Sequence, residues 1–588
     1  MSGFLTGLRT TSAIQRIVAT ASRPSGEARW HLAVAGLTLL LTTLPTVLAY
    51  AQRRYGLGFV GMLWTPPDAA QYFAAMRQGA SASSLLIHSH LSTEPHEPVL
   101  MYVTYVVLGK LSWALGASQW LTFHLAELGA RGALVLAVLL LAGEALPTRA
   151  QRRICLVLVL FGSGPFLVAA ALNSAGGSPF SFNLASVWQP EFSTVVLLYT
   201  APHLMFGVAC SLLAVRAYLL AWSGRARLGA ILGTIATCTV GLTNAFSLIP
   251  LIVAVAVHLG LMSVRRRGTP IGPACSAGAM LLAAGPFLVY NAIVFRTSAF
   301  WSHTYGALTG MVSPSPLEVA LLLGGTAVLA VPGLVVLLRS GTPAQWMVLV
   351  WIVCGAVLMY VPLGVERRFA LGLQPVLAIA AAPAVAGIWS WIRSARFPGR
   401  SCLRPAILVL LGLALFGSTL PLHAVIFGTA LGLTESATPL GSSPERALQP
   451  FNSPWVGAFY PLQLEEAANW LEQETQSDDR LLAAPWTANV LTSYVDGRFY
   501  VGHIVATPDF GRKAAEILDA YRSGSPEQLA AFMSERHLRY VIYGPYERAL
   551  GIDTPSSASF RHVYNGNGVD IFELADLSLA GLRTPSED

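Results

Sequence analysis

The sequence predicts a polytopic α-helical membrane protein of about eleven spans that ends in a soluble α/β domain. Three observations predict it. Hydrophobic residues make up 54% of the chain and charged residues 11%, against roughly 25% charged in a soluble protein. Apolar runs close to the roughly 20 residues that cross a bilayer recur along the first part of the chain. After residue 435 the composition turns charged, with short strand and polar helix patterns over a normal domain size.

The first span, near 31–50, follows Arg9, Arg16, Arg23 and Arg29 and has no small-residue cleavage site, so it reads as an uncleaved helix. Further apolar runs lie near 120–145, 153–172, 201–222, 227–243, 245–263, 274–295, 316–338, 343–363, 369–392 and 405–428. The segment 98–116 is also apolar, but it carries Lys110 and follows a proline; it reads as a helix lying at the interface.

Arginine counting decides that choice. With the N-terminus cytoplasmic and 98–116 not crossing, the basic loops 149–153, 223–227, 265–267, Arg339 and 393–404 all fall inside. The membrane part is then 1–433, with outer loops 51–119, 173–200 and 295–316. The Pro/Ser-rich stretch 434–461 reads as a linker, and 462–588 as an extracytoplasmic α/β domain. One basic cluster breaks the rule: Glu366, Arg367 and Arg368 fall on the outer side. Paired guanidinium groups there suit a phosphate or pyrophosphate.

Composition also excludes functions. The net charge of +7 is an orientation signal; no basic stretch has interleaved aromatics that stack on bases, so nucleic acid is not a partner. Lys110 and Lys513 are the only lysines, and neither sits in a Gly-rich phosphate loop. Cys155, Cys210, Cys238, Cys275, Cys354 and Cys402 form no CxxC pair, so no zinc cluster or disulfide framework is signalled. The scarcity of lysine and the abundance of arginine, alanine and leucine point to a GC-rich bacterial genome; for a polytopic helical protein of a bacterium the expected location is the plasma (inner) membrane.

The chemistry-bearing residues gather in the first outer loop. TPPDAAQYFAAMRQG (65–79) and HSHLSTEPHEP (88–98) hold Asp68, Glu94, Glu97, His88, His90 and His96. HLAELGAR places Glu127 and Arg131 one helical turn apart in an apolar span, where charges are costly and normally paired inward.

This layout resembles the GT-C class of integral-membrane glycosyltransferases, especially the bacterial group related to protein mannosyltransferases and aminoarabinose transferases. The matching parts are Asp68 in PPDAAQYF, the turn EPHEPVLMYVTYVVLGKL into an interfacial helix, Glu127 and Arg131, the outer pair in RRFALGLQP (367–375), and a soluble tail on the same side. Two departures stand out: Ala69 follows Asp68 where many members have an Asp-Glu pair, and HEPV replaces an HPPL-like turn.

The resemblance implies transfer of a sugar from a polyprenyl-phosphate donor to an extracytoplasmic glycan, lipid or protein acceptor, usually with inversion. That chemistry needs a carboxylate to take the acceptor proton and cations to hold the departing lipid phosphate. Asp68 is the candidate general base; its other reading is an N-cap before AAQYFAAM. Glu94 and Glu97 assist it, bind a divalent cation, or face water in a loop. His88-x-His90 with His96 is a weak metal candidate, and a divalent cation is the one cofactor contemplated. Arg367, Arg368 and Arg131 are candidate phosphate binders, against headgroup anchoring, pairing with Glu366, or an Arg131–Glu127 ion pair. His96, Glu127, Glu191 and His203 are candidate substrate-lining residues, Glu191 and His203 on an acceptor path, against a turn residue for Glu191 and a satisfied interfacial histidine for His203.

Trp188 and Gln189 lie in the second long outer loop, Asn244 in GLTNAF reads as a helix cap after a tight outer turn, and Trp301, His303 and Tyr305 either border a lipid groove or sit at the interface as aromatic residues do. His503, Asp509, Tyr543 and Glu547 in the tail form no recognisable constellation in sequence. A transporter or flippase of a lipid-linked glycan is the alternative from another class, disfavoured because the polar residues lie in outer loops rather than in broken helices repeated in two halves. A non-catalytic GT-C-like assembly subunit is a third reading, sustained by the departures around Asp68.

Overall fold

The computed structural model describes residues 26–575 except 177–188, 310–312, 395–399, 435–455, 523–524, 552 and 556. Arg9, Arg16, Arg23, Trp188, most of the 434–461 linker and the side chain of Tyr305 lie outside the described residues.

The membrane part runs α1 (Gly26–Ala51), β1 (Leu57–Phe59), α2 (Ala69–Ser81), α3 (Val103–Leu115), α4 (Gln119–Ala145), α5 (Arg149–Phe161), α6 (Phe166–Gly176), α7 (Pro202–Trp222), α8 (Ala226–Thr243), α9 (Leu248–Arg266), α10 (Ile271–Thr297), α11 (Ala299–Thr309), α12 (Pro316–Leu338), α13 (Pro343–Leu358), α14 (Leu373–Ser394), α15 (Arg400–Phe416) and α16 (Thr419–Ala430). Several starts are set by side-chain caps. Thr148, Ser315 and Thr342 each close a capping box, with Gln151, Glu318 and Gln345.

Among the described residues eight helices are long and apolar enough to cross a membrane, or nine if one bent pair is a single span. The expected count of eleven is not reached, for local reasons. The run 153–172 breaks between α5 and α6, where Ser163 N–H and Gly164 N–H leave the helix and donate to Leu415 O and Leu322 O. The run 343–363 yields only the 16 residues of α13, about 24 Å of helix against the roughly 30 Å of a hydrocarbon core. The run 405–428 bends by 52° between α15 and α16. The short α3 has 13 residues and, at about 20 Å, does not span either.

Ion pairs and cation–ring contacts mark the two ends of the helical layer. At one end Arg149 pairs with Glu27 at 3.0 Å, and Arg265 and Arg266 lie over Trp346 and Trp222. At the other end of α1, Arg53 donates two hydrogen bonds of 2.7 Å to Glu465 of the C-terminal region. Helix α1 separates these ends by about 39 Å. The first loop, the 189–200 segment, α11, the 366–370 turn and the C-terminal region share the second end, since contacts described below join them.

The C-terminal region carries β2 (Phe459–Pro461), α17 (Gln463–Glu474), β3 (Arg480–Leu482), α18 (Pro485–Thr492), β4 (Arg498–Phe499), α19 (Phe510–Arg522), α20 (Pro526–Glu535), β5 (Tyr540–Tyr543), β6 (Phe560–Gly566) and β7 (Val569–Leu574). Its five-stranded sheet has the order β4-β3-β5-β7-β6. β3 lies parallel to β4 and β5, while β7 runs antiparallel to β5 and β6.

This region is joined to the first loop by backbone, core and charge. β2 pairs antiparallel with β1, with Gly58 opposite Tyr460. A Cβ at Gly58 would stand 2.3 Å from the Tyr460 ring, so only glycine fits that register. Ile87, Val99 and Tyr105 share one buried apolar cluster with Tyr460, Leu464 and Tyr500. Arg77 pairs with Glu472 at 2.9 Å and Asp496 at 3.2 Å, and Lys513 pairs with Glu94.

Candidate active site

Asp68 closes a single turn, Pro66–Asp68, entered through Thr65 at φ +48°. Two prolines fix φ there and lead into α2. Asp68 stands at the N-cap position of α2, yet its side chain caps nothing. The carboxylate instead faces His503, with Oδ1 3.2 Å from Nε2. Its side chain is 30% exposed, while that of His503 is 3% exposed.

The hairpin of α2 and α3 positions this carboxylate. Gly79 and Gly109 let the two backbones touch: a Cβ at Gly79 would meet Val106 O at 2.2 Å, and one at Gly109 would meet Met76 O at 1.9 Å. Asn489 ties the hairpin to the C-terminal region. Its Nδ2 donates to Pro67 O at 3.1 Å and to Gly502 O at 3.0 Å, the residues just before Asp68 and His503.

An aromatic wall lies beside Asp68. Tyr72 stacks on Tyr105 with centroids 4.2 Å apart, and Tyr102 O–H donates to Gln71 at 2.6 Å. Burial first, then the charges of Glu127, Tyr102 and Asp68, push the Tyr105 phenol well above its ordinary range. It therefore keeps its proton, and the hydroxyl is hydrogen-bonded to His203 Nδ1 at 2.7 Å. His203 opens α7, and the charges of both Arg368 and Asp68 act on its ring.

The arginine end is built on Glu191, whose side chain is wholly buried. Arg368 Nη1 stands 2.8 Å from Glu191 Oε1, and Arg367 Nε 3.5 Å from the same oxygen. Burial pushes the Glu191 carboxyl up, but Arg368 and Arg367 outweigh it and hold the group below the usual carboxylate range. One carboxylate thus faces two guanidinium groups. Arg367 is 4% exposed, and its Nε and Nη1 have no hydrogen-bond partner among the described residues. Nε still faces the Glu191 carboxylate, whereas a donor buried like Nη1 costs roughly 1–3 kcal/mol.

The remaining candidates fall into separate places. Glu127 accepts from His124 Nδ1 at 2.7 Å and lies 3.6 Å from Arg131, while His124 Nε2 meets Tyr50 O–H at 2.9 Å. Arg131 also donates to Leu198 O at 2.9 Å and Thr43 at 3.3 Å, so its guanidinium is occupied by the scaffold. Glu94 pairs with Lys513. Glu97 is exposed, and its backbone oxygen accepts from Trp301 Nε1 at 3.0 Å.

His96 spends both ring nitrogens on its own loop: Nδ1 donates to Glu94 O at 2.7 Å and Nε2 accepts from Ser89 N–H at 2.9 Å. It stacks on Phe300 at 4.0 Å, and burial pushes it down to about 4. His90 is buried and likewise pushed down to about 4. Among the described residues no group of three or more His, Cys, Asp or Glu is arranged to hold a metal ion; His88 and His90 belong to none.

His503 and Asn489 are the residues that sequence reasoning under-read. His503 sits in GHIVAT with no spacing that names a partner, and Asp68 lies 435 residues away. The only signal is a histidine in a short loop between strand and helix. Glu191 was expected to line an acceptor path; its carboxylate lies against the two arginines.

No family model matches the sequence, and no curated protein matches it. Solved structures do share its fold. The archaeal oligosaccharyltransferase AglB from Archaeoglobus fulgidus, in complex with an inhibitory peptide and a dolichol-phosphate, is similar over 87% of this chain and 69% of that one, at 11% identity and a TM-score of 0.50. The same enzyme tethered with an acceptor peptide is similar over 88% and 69%, at 12% identity and TM-score 0.50. ArnT from Cupriavidus metallidurans in the apo state covers 92% of this chain and 98% of its own, at 11% identity and TM-score 0.46. The fold is of the GT-C type, a multi-pass helical membrane layer with a sheet-containing C-terminal region.

Proposed function

We propose that this protein is a membrane glycosyltransferase that moves a sugar from a polyprenyl-phosphate donor to an acceptor outside the cytoplasm. The observation that carries the reading is that opposite charges act on one histidine ring. Asp68, whose carboxylate caps nothing, and Arg368, which shares Glu191 with Arg367, both act on His203 through their charges. Asp68 takes the proton of the acceptor hydroxyl. The acceptor oxygen bonds to the anomeric carbon as the bond from that carbon to the lipid phosphate breaks. The electron pair leaves on the phosphate oxygen, where Arg368 and Arg367 meet the charge.

The fold shared with an oligosaccharyltransferase found with dolichol-phosphate supports a lipid-phosphate donor. Gathering of the basic loops at the far end of α1 supports a cytoplasmic N-terminus and an outer active site. The outer loops 51–119, 173–200 and 295–316 and the domain 462–588 then form one extracytoplasmic face.

The test follows sugar release from radiolabelled polyprenyl-phosphate sugars by membranes holding wild type or Asp68→Asn. Transfer by wild type and its loss in the variant, at equal protein level, supports the reading. Movement of the donor across the membrane without bond cleavage supports a transporter, and binding without either supports an assembly subunit.

A further inference from the structure

His503 belongs to the C-terminal region, yet its ring serves the first loop. Nδ1 accepts from Val505 N–H at 3.2 Å and Ala506 N–H at 3.1 Å. Two donors aimed at one ring nitrogen leave no room for a proton there, so the neutral ring carries its hydrogen on Nε2. Nε2 is the atom 3.2 Å from Asp68 Oδ1. The hydrogen bond therefore has one direction, from the imidazole to the carboxylate.

The surroundings hold that direction. Thr507 Oγ1 accepts from Gly502 N–H at 3.1 Å and His503 N–H at 3.2 Å, and donates to Leu91 O in the first loop. Asn489 fixes the backbone just before both partners. Tyr105 on α3 and His203 on α7 are the other titratable groups on which the Asp68 charge acts. Their own hydrogen bond joins them to each other.

We propose that His503 is a positioning residue of the transfer site: its Nε2–H occupies Asp68 Oδ1 and leaves Oδ2 as the atom that receives the acceptor proton. The C-terminal region is on this account part of the active site and more than a docking lobe. The inference rests on Asp68 as the general base. The ring does not relay the proton onward, because its second nitrogen faces two N–H groups.

Two variants of the full chain divide the ring's duties. His503→Asn keeps an acceptor near the Nδ1 position and removes the donor to Asp68. His503→Gln keeps a donor near the Nε2 position and removes the acceptor. One readout is transfer from polyprenyl-phosphate sugars. The second needs no substrate: the rate at which a water-soluble carbodiimide and an amine label Asp68, read by mass spectrometry, since the reagent attacks the protonated carboxyl.

His503→Asn is expected to lower kcat by about tenfold or more with little change in KM, as for a lost hydrogen bond to a charged group, and to label Asp68 faster than wild type. His503→Gln is expected to stay close to wild type in both. The proposal is overturned if His503→Asn matches wild type in both readouts while His503→Gln is impaired, the pattern of a ring that serves only its own loop. If wild type transfers no sugar, the general-base reading falls, and the labelling rates separately decide the link between His503 and Asp68.

Discussion

Arg368 Nη1 lies 2.8 Å from Glu191 Oε1, across 177 residues of sequence, and Glu191 is closed off from solvent. This pair draws Arg367 and Arg368 together on one buried carboxylate, which the two guanidinium groups share.

Glu191→Gln tests that cluster. Removing the carboxylate that Arg367 and Arg368 share is expected to cost about 3–5 kcal/mol. The check is a lower apparent melting temperature in detergent. The double variant Glu191→Gln with Arg367→Met is expected to recover part of the loss, because fewer buried charges then stand unpaired.

Gly109→Ala tests the hairpin that carries Asp68. The new methyl would stand 1.9 Å from Met76 O, a backbone atom that cannot swing aside. Overpacking of this kind costs typically about 1–3 kcal/mol. Forcing α2 from α3 also displaces Asp68, so sugar transfer is expected to fall further than stability does, measured side by side on purified protein.

Asn489→Ala tests the tie between the two halves of the site. It leaves Pro67 O and Gly502 O without their donor inside the fold, at a cost of about 1–3 kcal/mol. A displacement of about 1 Å at a catalytic group can reduce turnover about 100-fold. Expected is a large fall in kcat in a protein that still folds, as judged by gel filtration and melting.

The loop histidines set an acid response. Burial holds His96 and His90 near 4 in the folded protein, below the ordinary 6.5. The unfolded chain then binds more protons than the folded one between those values, so stability is full above about 6.5 and falls as pH drops toward 4. Melting temperatures measured from pH 7 to pH 4 should decline across that window, and His96→Gln should flatten the decline.

Much of this architecture is legible in sequence because bilayer physics writes it in long runs. Eight of the eleven apolar runs correspond to continuous spans, and 98–116 yields the short non-spanning α3. The misread runs fail where a backbone group finds a tertiary partner, as Ser163 does with Leu415 O, and no window of hydropathy detects that. The oddly placed Arg367 and Arg368 were conspicuous because they broke a charge rule.

The pairings were not legible. Asp68 before AAQYFAAM reads equally well as a helix cap, and only the approach of His503 shows that its carboxylate is used elsewhere. Glu191 reads as a loop residue until two arginines from the far part of the chain close on it. Such contacts depend on tertiary geometry, and one sequence carries no spacing rule for them.

The ribbon of β1 with β2, and the 435 residues that separate Asp68 from His503, also govern when the molecule matures. At about 5–20 residues per second a ribosome needs roughly 20–90 s to deliver the second partner after the first. During that interval the nascent chain sits in the bilayer with its early loop uncovered. On the proposed reading of Asp68 and His503, competence arrives only when the C-terminal region emerges and folds back. A chain released before that point would occupy membrane without ever acquiring a working centre.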